Sequence, residues 1–378
     1  MENIPLFKIY WDEQDLERVN SVIRKGMFWA IGPEIKEFES MVAQYNQVKY
    51  ALAINSGTSA LHVILTAHGI GKGDEVIVPS FTFIATANAP LFVGAKPVFA
   101  EIENKTYGLD PEDVEKRITV RTKAILPVHY GGSPCNIQDL ATIAEKHNLI
   151  LIEDAAESIG ASINNKKVGS FGDSAILSFC GPKIVTTGEG GMVLTNSREL
   201  YEKARLTYNH GRVETTDYFS STEQMQYVTL GYNFRMSTMT AALGIAQMEK
   251  IDDIIRMRRQ NAERYTNGLS KISGIITPTI SKGYLQVHQI YTIRLEAIDG
   301  MRDRLKEHLA RHGIMSKVYF DPVHLTQFYR EQLGHKEGEL PETEKISKQV
   351  LSLPMYPELK REEIDYIVTQ IADFMKNE

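Results

Sequence analysis

From Lys49 to Thr195 the chain alternates short apolar runs with amphipathic stretches. Tyr50–Ile54, Glu75–Val78, Pro97–Ala100, Lys123–Val128, Leu149–Ile152, Ser174–Phe179 and Gly191–Thr195 are apolar or β-branched without period-two alternation. That is the pattern of strands buried on both faces. Helical patterns lie between them: Ala60–His68 runs into Gly69, Asp110-Pro111 opens another, and Ile137–His147 follows. This βαβα order predicts an α/β fold, with a mostly parallel seven-stranded sheet between helices. From Met236 to Tyr265 only Gly244 interrupts a helical pattern, which predicts one long helix bridging two domains. Beyond it, Tyr284–Glu296 and helices over Asp299–His312 and Glu362–Met375 predict a smaller α+β domain. The expected division is a large domain over residues 1–250 and a small one over 251–378.

Composition narrows the function. At 378 residues, 43% apolar and 24% charged, the chain has the make-up of a folded globular protein with a sizeable core, not of a disordered one. Its 42 basic and 48 acidic side chains leave a net charge of −6, so no global basic field exists for nucleic acid. No run approaches the roughly 18 apolar residues of a membrane span, and the first residues lack a charged-then-apolar leader design. The expected location is the cytoplasm. Cys135 and Cys180 cannot form a disulfide framework and make no Cys-x-x-Cys pair, so no structural metal is expected.

Three segments carry chemistry. Asn55-Ser56-Gly57-Thr58-Ser59-Ala60 joins the first strand to a helix, and its free N–H groups suit either a phosphate or a plain N-cap. Leu149-Ile150-Leu151-Ile152-Glu153-Asp154 is a strand ending in carboxylates, at the edge where ligands of open α/β sheets bind. Asp154 there suits a metal, general-base work, a protonated ring nitrogen or a helix cap. Ser178-Phe179-Cys180-Gly181-Pro182-Lys183 puts one lysine in a loop, where burial would free its amine for Schiff-base chemistry. Phosphate turn, strand-end aspartate and loop lysine together describe a pyridoxal phosphate site.

The sequence resembles the DegT/StrS-type nucleotide-sugar aminotransferases, which are fold type I pyridoxal phosphate enzymes. Its landmarks run through Gly32-Pro33-Glu34, Asn55–Leu61, Gly73–Phe83, Glu153–Ala156, Ser178–Lys183, Thr187–Gly191, Gly231–Met236 and Pro322–Leu325. The resemblance implies a Schiff base on Lys183, a ring nitrogen held protonated by Asp154, and phosphate contacts from Gly57, Thr58 and Ser178. It further implies ring stacking by Phe81 and anionic substrate contacts by Arg235 and His324. Asn233 is implied to reach the phosphate in a neighbouring subunit, hence a homodimer with composite sites. Glu157 departs from the family's usual Gln or His beside the cofactor's phenolic oxygen, where an ionised carboxylate would be repelled unless protonated or turned away.

The implied reaction moves an amino group from an amino acid, L-glutamate above all, to a keto-sugar on a nucleotide diphosphate. The alternatives are a pyridoxal phosphate sugar dehydratase or lyase and a non-catalytic regulatory homologue. Lys183 favours transamination, because the related dehydratases carry histidine there. His308 and His312 lack the glutamate of a zinc helix, and Cys180 is a spacer beside the lysine. Sugar choice is expected to lie in the loops Gly26–Gly32 and Thr207–Val228 and in the partner subunit.

Overall fold

The computed structural model describes residues 3–213, 225–296 and 300–377. The apolar runs form the strands β1 (Tyr50–Ile54), β2 (Glu75–Pro79), β3 (Lys96–Ala100), β4 (Thr122–Ile125), β5 (Ile150–Asp154), β6 (Ser174–Ser178) and β7 (Gly191–Thr195). They make one seven-stranded sheet in the order β1-β7-β6-β5-β4-β2-β3. Neighbours are parallel except at β7, which runs antiparallel to both β1 and β6. The carboxyl ends of β1, β5 and β6 therefore emerge along one edge.

Two apolar layers cover the sheet. One packs Leu61, Val63, Ile64 and Leu65 of α3 (Gly57–Ala67) against Leu52, Val78, Ile152 and Val193. The other packs Phe38 and Val42 of α2 (Pro33–Asn46), with Ala241 and Ile245, against Ala53, Leu177 and Leu194.

The long helix expected over 236–265 is two helices, Thr238–Glu249 (α4) and Ile251–Leu269 (α5), separated by Lys250 at φ −116° and ψ 10°. The break has a cause in side-chain chemistry. Lys250 is buried, and its ammonium is gripped by Asp12 at 2.7 Å and Asp15 at 2.6 Å, both at the start of helix α1 (Glu13–Lys25). Gln247 donates to the other Asp15 oxygen. These partners lower the Asp12 carboxyl and raise the Lys250 ammonium against the opposing effect of burial.

Helix α5 joins both halves of the molecule. Its Ile251, Ile254 and Ile255 belong to the sheet layer, whereas Ala262, Tyr265 and Leu269 belong to a separate core. That core holds the three-stranded antiparallel sheet β8 (Ile275–Ile276), β9 (Tyr291–Leu295) and β10 (Val350–Leu353), with helices Met301–Arg311 and Arg361–Asn377. Asp299, the expected start of the first of these helices, lies outside the described residues. Ile4 pairs with Ile314, so the N-terminus completes this second core, although residues 1–250 were expected to form the first.

Asp15→Ala should leave the buried Lys250 ammonium and the Gln247 amide under-satisfied. A loss of about 2 kcal/mol in urea unfolding is expected, and an unchanged midpoint would contradict this account of the break.

Candidate active site

At the carboxyl edge of the sheet lies a cavity of about 650 Å³ between the two cores. Gly57, Thr58, Asp154, Glu157, Ser178 and Lys183 all line it.

The anion turn proves to be the first turn of α3 itself. Ser56 caps the helix, its Oγ accepting from the Ser59 N–H at 3.1 Å. Gly57 and Thr58 then face the cavity at the positive end of the helix dipole, so the Ser56 cap leaves that end of the helix open to an anion. Close approach fixes two glycines. A Cβ on Gly57 would lie 3.0 Å from the Ser178 Cβ, and one on Gly191 would lie 2.4 Å from the Ser56 carbonyl oxygen.

Asp154 ends β5 and is only 4% exposed. One oxygen accepts from the Thr86 hydroxyl at 2.8 Å and the other from the Ala156 N–H at 3.1 Å. Burial pushes its carboxyl above the usual range, against the pull of those two donors and of the Lys183 charge. Its neighbour Glu153 points to the opposite face, where it accepts from the N–H groups of Gly169, Phe171 and Gly172 and pairs with His129 at 2.9 Å.

Lys183 sits in a tight loop whose amide bonds back to the Cys180 carbonyl, while Thr187 bonds to Phe179. Its ammonium lies 3.2 Å from Glu157. The second Glu157 oxygen accepts from the Gly131 N–H at 2.9 Å. Glu157 is thus oriented by the backbone and engaged with the lysine. Gln289, reaching over from the second core, donates to the Pro182 carbonyl at 2.5 Å and so braces the residue before Lys183.

Four expected site residues are placed elsewhere. Phe81 is fully buried, packed with Tyr107, Tyr130 and Phe320, and does not line the cavity. Two positions on, Phe83 does line it and is 61% exposed. Both rings belong to the same Ser80-Phe81-Thr82-Phe83 segment, and apolarity alone does not tell which one turns inward. His324 is fully buried; its Nδ1 bonds Ser80 at 2.7 Å and its Nε2 bonds Glu344 at 3.1 Å, which makes it a structural tie away from the cavity wall. Arg235 lines a separate cavity of about 430 Å³ and donates to Asn209 at 2.6 Å. Asn233 is exposed and outside the Lys183 cavity of its own chain. Phe83, Thr86 and Gln289 line the cavity although the motif reading did not single them out; Phe83 ends the matched Gly73–Phe83 segment, Thr86 lies three residues beyond it, and Gln289 has no local signal.

The donor set fits pyridoxal phosphate. The helix N-terminus with Thr58 and Ser178 would take the phosphate, Asp154 the ring nitrogen, Phe83 a face of the ring and Lys183 the aldehyde. A mostly parallel sheet carrying a lysine loop, a strand-end aspartate and a helix N-terminus on one edge is the arrangement of a fold type I pyridoxal phosphate-dependent aminotransferase. The chain belongs to the DegT/DnrJ/EryC1/StrS aminotransferase family, whose model matches residues 10–372.

It is 38% identical to a "Pleiotropic regulatory protein" of Geobacillus stearothermophilus over 383 residues, covering 99% of each chain. It is 35% identical to the GDP-perosamine synthase of Escherichia coli O157:H7 over 374 residues, again covering 99% of each. The solved structure of Helicobacter pylori PseC, an aminotransferase involved in the biosynthesis of pseudoaminic acid, superposes with a TM-score of 0.93 at 28% identity and covers 100% of both chains.

Two outcomes test this geometry. Because its buried carboxyl is raised, Asp154 costs the cofactor-free fold stability once pH exceeds that raised value. Cofactor-free Asp154→Asn should therefore melt above the parent at about pH 7, with the gap closing toward about pH 4; a gap independent of pH contradicts the assignment. Gly191→Ala should push the Ser56–Gly57 backbone off its position and raise the dissociation constant for pyridoxal phosphate by about tenfold or more, read by equilibrium dialysis.

Proposed function

We propose that this protein transfers the amino group of an amino acid, L-glutamate in the first instance, to a keto-sugar carried on a nucleotide diphosphate. The observation that carries the reading is the convergence of Lys183, Asp154 and the α3 N-terminus on one cavity. Support for a sugar acceptor comes from the GDP-perosamine synthase and PseC likenesses.

Pyridoxal phosphate, when bound, supplies an electron sink for charge developing at the donor's α-carbon. The protein's part is positional and protonic. Asp154, held by Thr86 and the Ala156 amide, would keep a proton on the ring nitrogen and so sustain that sink. The Lys183 amine would take the proton from the donor's α-carbon in the first half of the reaction and, in the second, would hand a proton to the acceptor carbon that gains the nitrogen. Glu157, fixed by the Gly131 N–H, holds the lysine head against the cavity wall between these transfers. Gly57, Thr58 and Ser178 would hold the phosphate end, which would fix the group's position in the cavity that Lys183 also lines.

The working form is a homodimer. Trp11, Phe28 and Trp29 leave large apolar surfaces exposed near the chain's beginning, and Leu230, 77% exposed, does so beside Asn233. A second copy covering such surfaces is the homodimer that the family resemblance implies, in which Asn233 would reach the partner's cavity. Of the loops expected to choose the sugar, 214–224 lies outside the described residues.

Lys183→Ala should fold with an unchanged far-ultraviolet spectrum yet lose turnover with glutamate and a nucleotide-linked keto-sugar by about a thousandfold or more. Measurable turnover close to the parent rate would exclude Lys183 as the proton carrier.

A further inference from the structure

The family resemblance implies anionic substrate contacts by Arg235 and His324, and neither side chain lines the Lys183 cavity of its own chain. Among the described residues, the cationic side chains on that wall are Lys183 and Lys317. Lys183 is committed to Glu157. We propose that Lys317 is the cationic anchor that receives an anionic oxygen group of a substrate, a carboxylate or a phosphate, at the mouth of this cavity. The inference rests on the aminotransferase reading for the identity of the substrates and on the geometry for the choice of residue.

The backbone at Lys317 is fixed. Its N–H donates to the Ser352 carbonyl at 3.1 Å and its carbonyl accepts from the Ser352 N–H at 2.8 Å, which docks the segment onto strand β10 of the second core. The side chain extends over the Tyr319 ring, Nζ 4.8 Å from its centre, and Tyr319 in turn is held through its carbonyl by the Tyr130 hydroxyl at 2.5 Å. Lys317 makes no ion pair within 4.0 Å among the described residues, although Asp321 is four positions away. It is an exposed, braced and uncompensated ammonium at the rim.

Charge balance makes it necessary. Both substrates are anions, an amino acid through its α-carboxylate and a nucleotide-linked sugar through its diphosphate. The cavity wall carries Asp154, Glu157, Glu189 and Asp321. Glu157 is paired with Lys183, so an anion entering past Asp154, Glu189 and Asp321 is repelled unless a further fixed cation meets it, and a lysine serves as a point charge for carboxylate and phosphate alike. Lys317 faces the same cavity from the second core, opposite the sheet edge that bears Lys183 and Asp154. An anchor there would tether the unreactive end of the substrate while its reacting carbon lies inside.

The test uses cofactor-loaded wild-type protein, Lys317→Ala and Lys317→Arg. L-glutamate is titrated against the visible absorption band, and UDP and GDP are titrated by calorimetry. Lys317→Ala should raise the half-saturating glutamate concentration or the nucleotide dissociation constant by about ten- to a hundredfold, the span of a charged hydrogen bond. Lys317→Arg should recover most of that loss. A change confined to glutamate identifies the carboxylate as the anion, and one confined to UDP or GDP identifies the phosphate. If Lys317→Ala leaves both within about twofold of wild type, the proposal is overturned. A wild-type band that ignores glutamate and other amino donors overturns the aminotransferase reading instead, and Lys317 is then judged on the nucleotide arm alone.

Discussion

Two carboxylates stand side by side in the interior at the end of β5, and the arrangement of the sheet edge follows from keeping both satisfied. Burying an ionised carboxylate without partners costs several kcal/mol, so each oxygen needs a donor. Strand alternation sends Glu153 and Asp154 to opposite faces, and the two faces solve the problem differently. Glu153 is saturated by three backbone N–H groups and by His129. The Cys135 N–H donates to Nδ1 of that ring, which places the ring proton on Nε2 toward Glu153. Among the described residues Asp154 receives only the Thr86 hydroxyl and the Ala156 N–H, and it opens onto the cavity. The carboxylate on the closed face is fully enclosed, whereas the one facing the cavity is left short of donors, which is the state a cationic ring nitrogen could complete.

Much of this was legible in the chain because parallel strands announce themselves as unbroken apolar runs. β1 and β7 match the runs Tyr50–Ile54 and Gly191–Thr195, and the others shift by a few residues at their ends. Lys183, Asp154 and the Gly57–Thr58 turn were readable for a related reason. Each lies at, or within five residues of, the carboxyl end of a strand, so its place on the sheet edge is set by local sequence.

What the sequence hid depends on side-chain direction or on distant partners. Phe81 and Phe83 occupy one irregular segment, and only packing against Tyr107 and Tyr130 draws Phe81 inward and leaves Phe83 at the cavity. His324 looks like a ligand-facing imidazole until Ser80 and Glu344 are seen to claim both ring nitrogens. The split between α4 and α5 falls at a lysine that is an ordinary helix former, and it follows from carboxylates more than 230 positions earlier in the chain. Glu157 departs from the family's usual residue in type, yet its place is explained once Gly131 and Lys183 are in view.

The cavity belongs to neither core alone, and one buried cation shows how the two walls are held in register. Arg258 of α5 is 2% exposed and donates to the carbonyls of His288, Gln289 and Met355. Burial lowers its guanidinium to about 10, which still leaves it charged near neutrality. Those carbonyls belong to the second core's side of the cavity, where Gln289 and Met355 line the wall. From there the Gln289 amide crosses to the Pro182 carbonyl, one residue before Lys183. The guanidinium thus secures Gln289 through its backbone, and Gln289 secures the lysine loop through its side chain. Lys183 is consequently positioned from both sides: by the β6 end that carries its loop, and by a helix whose first turns pack on the large sheet and whose later turns build the second core.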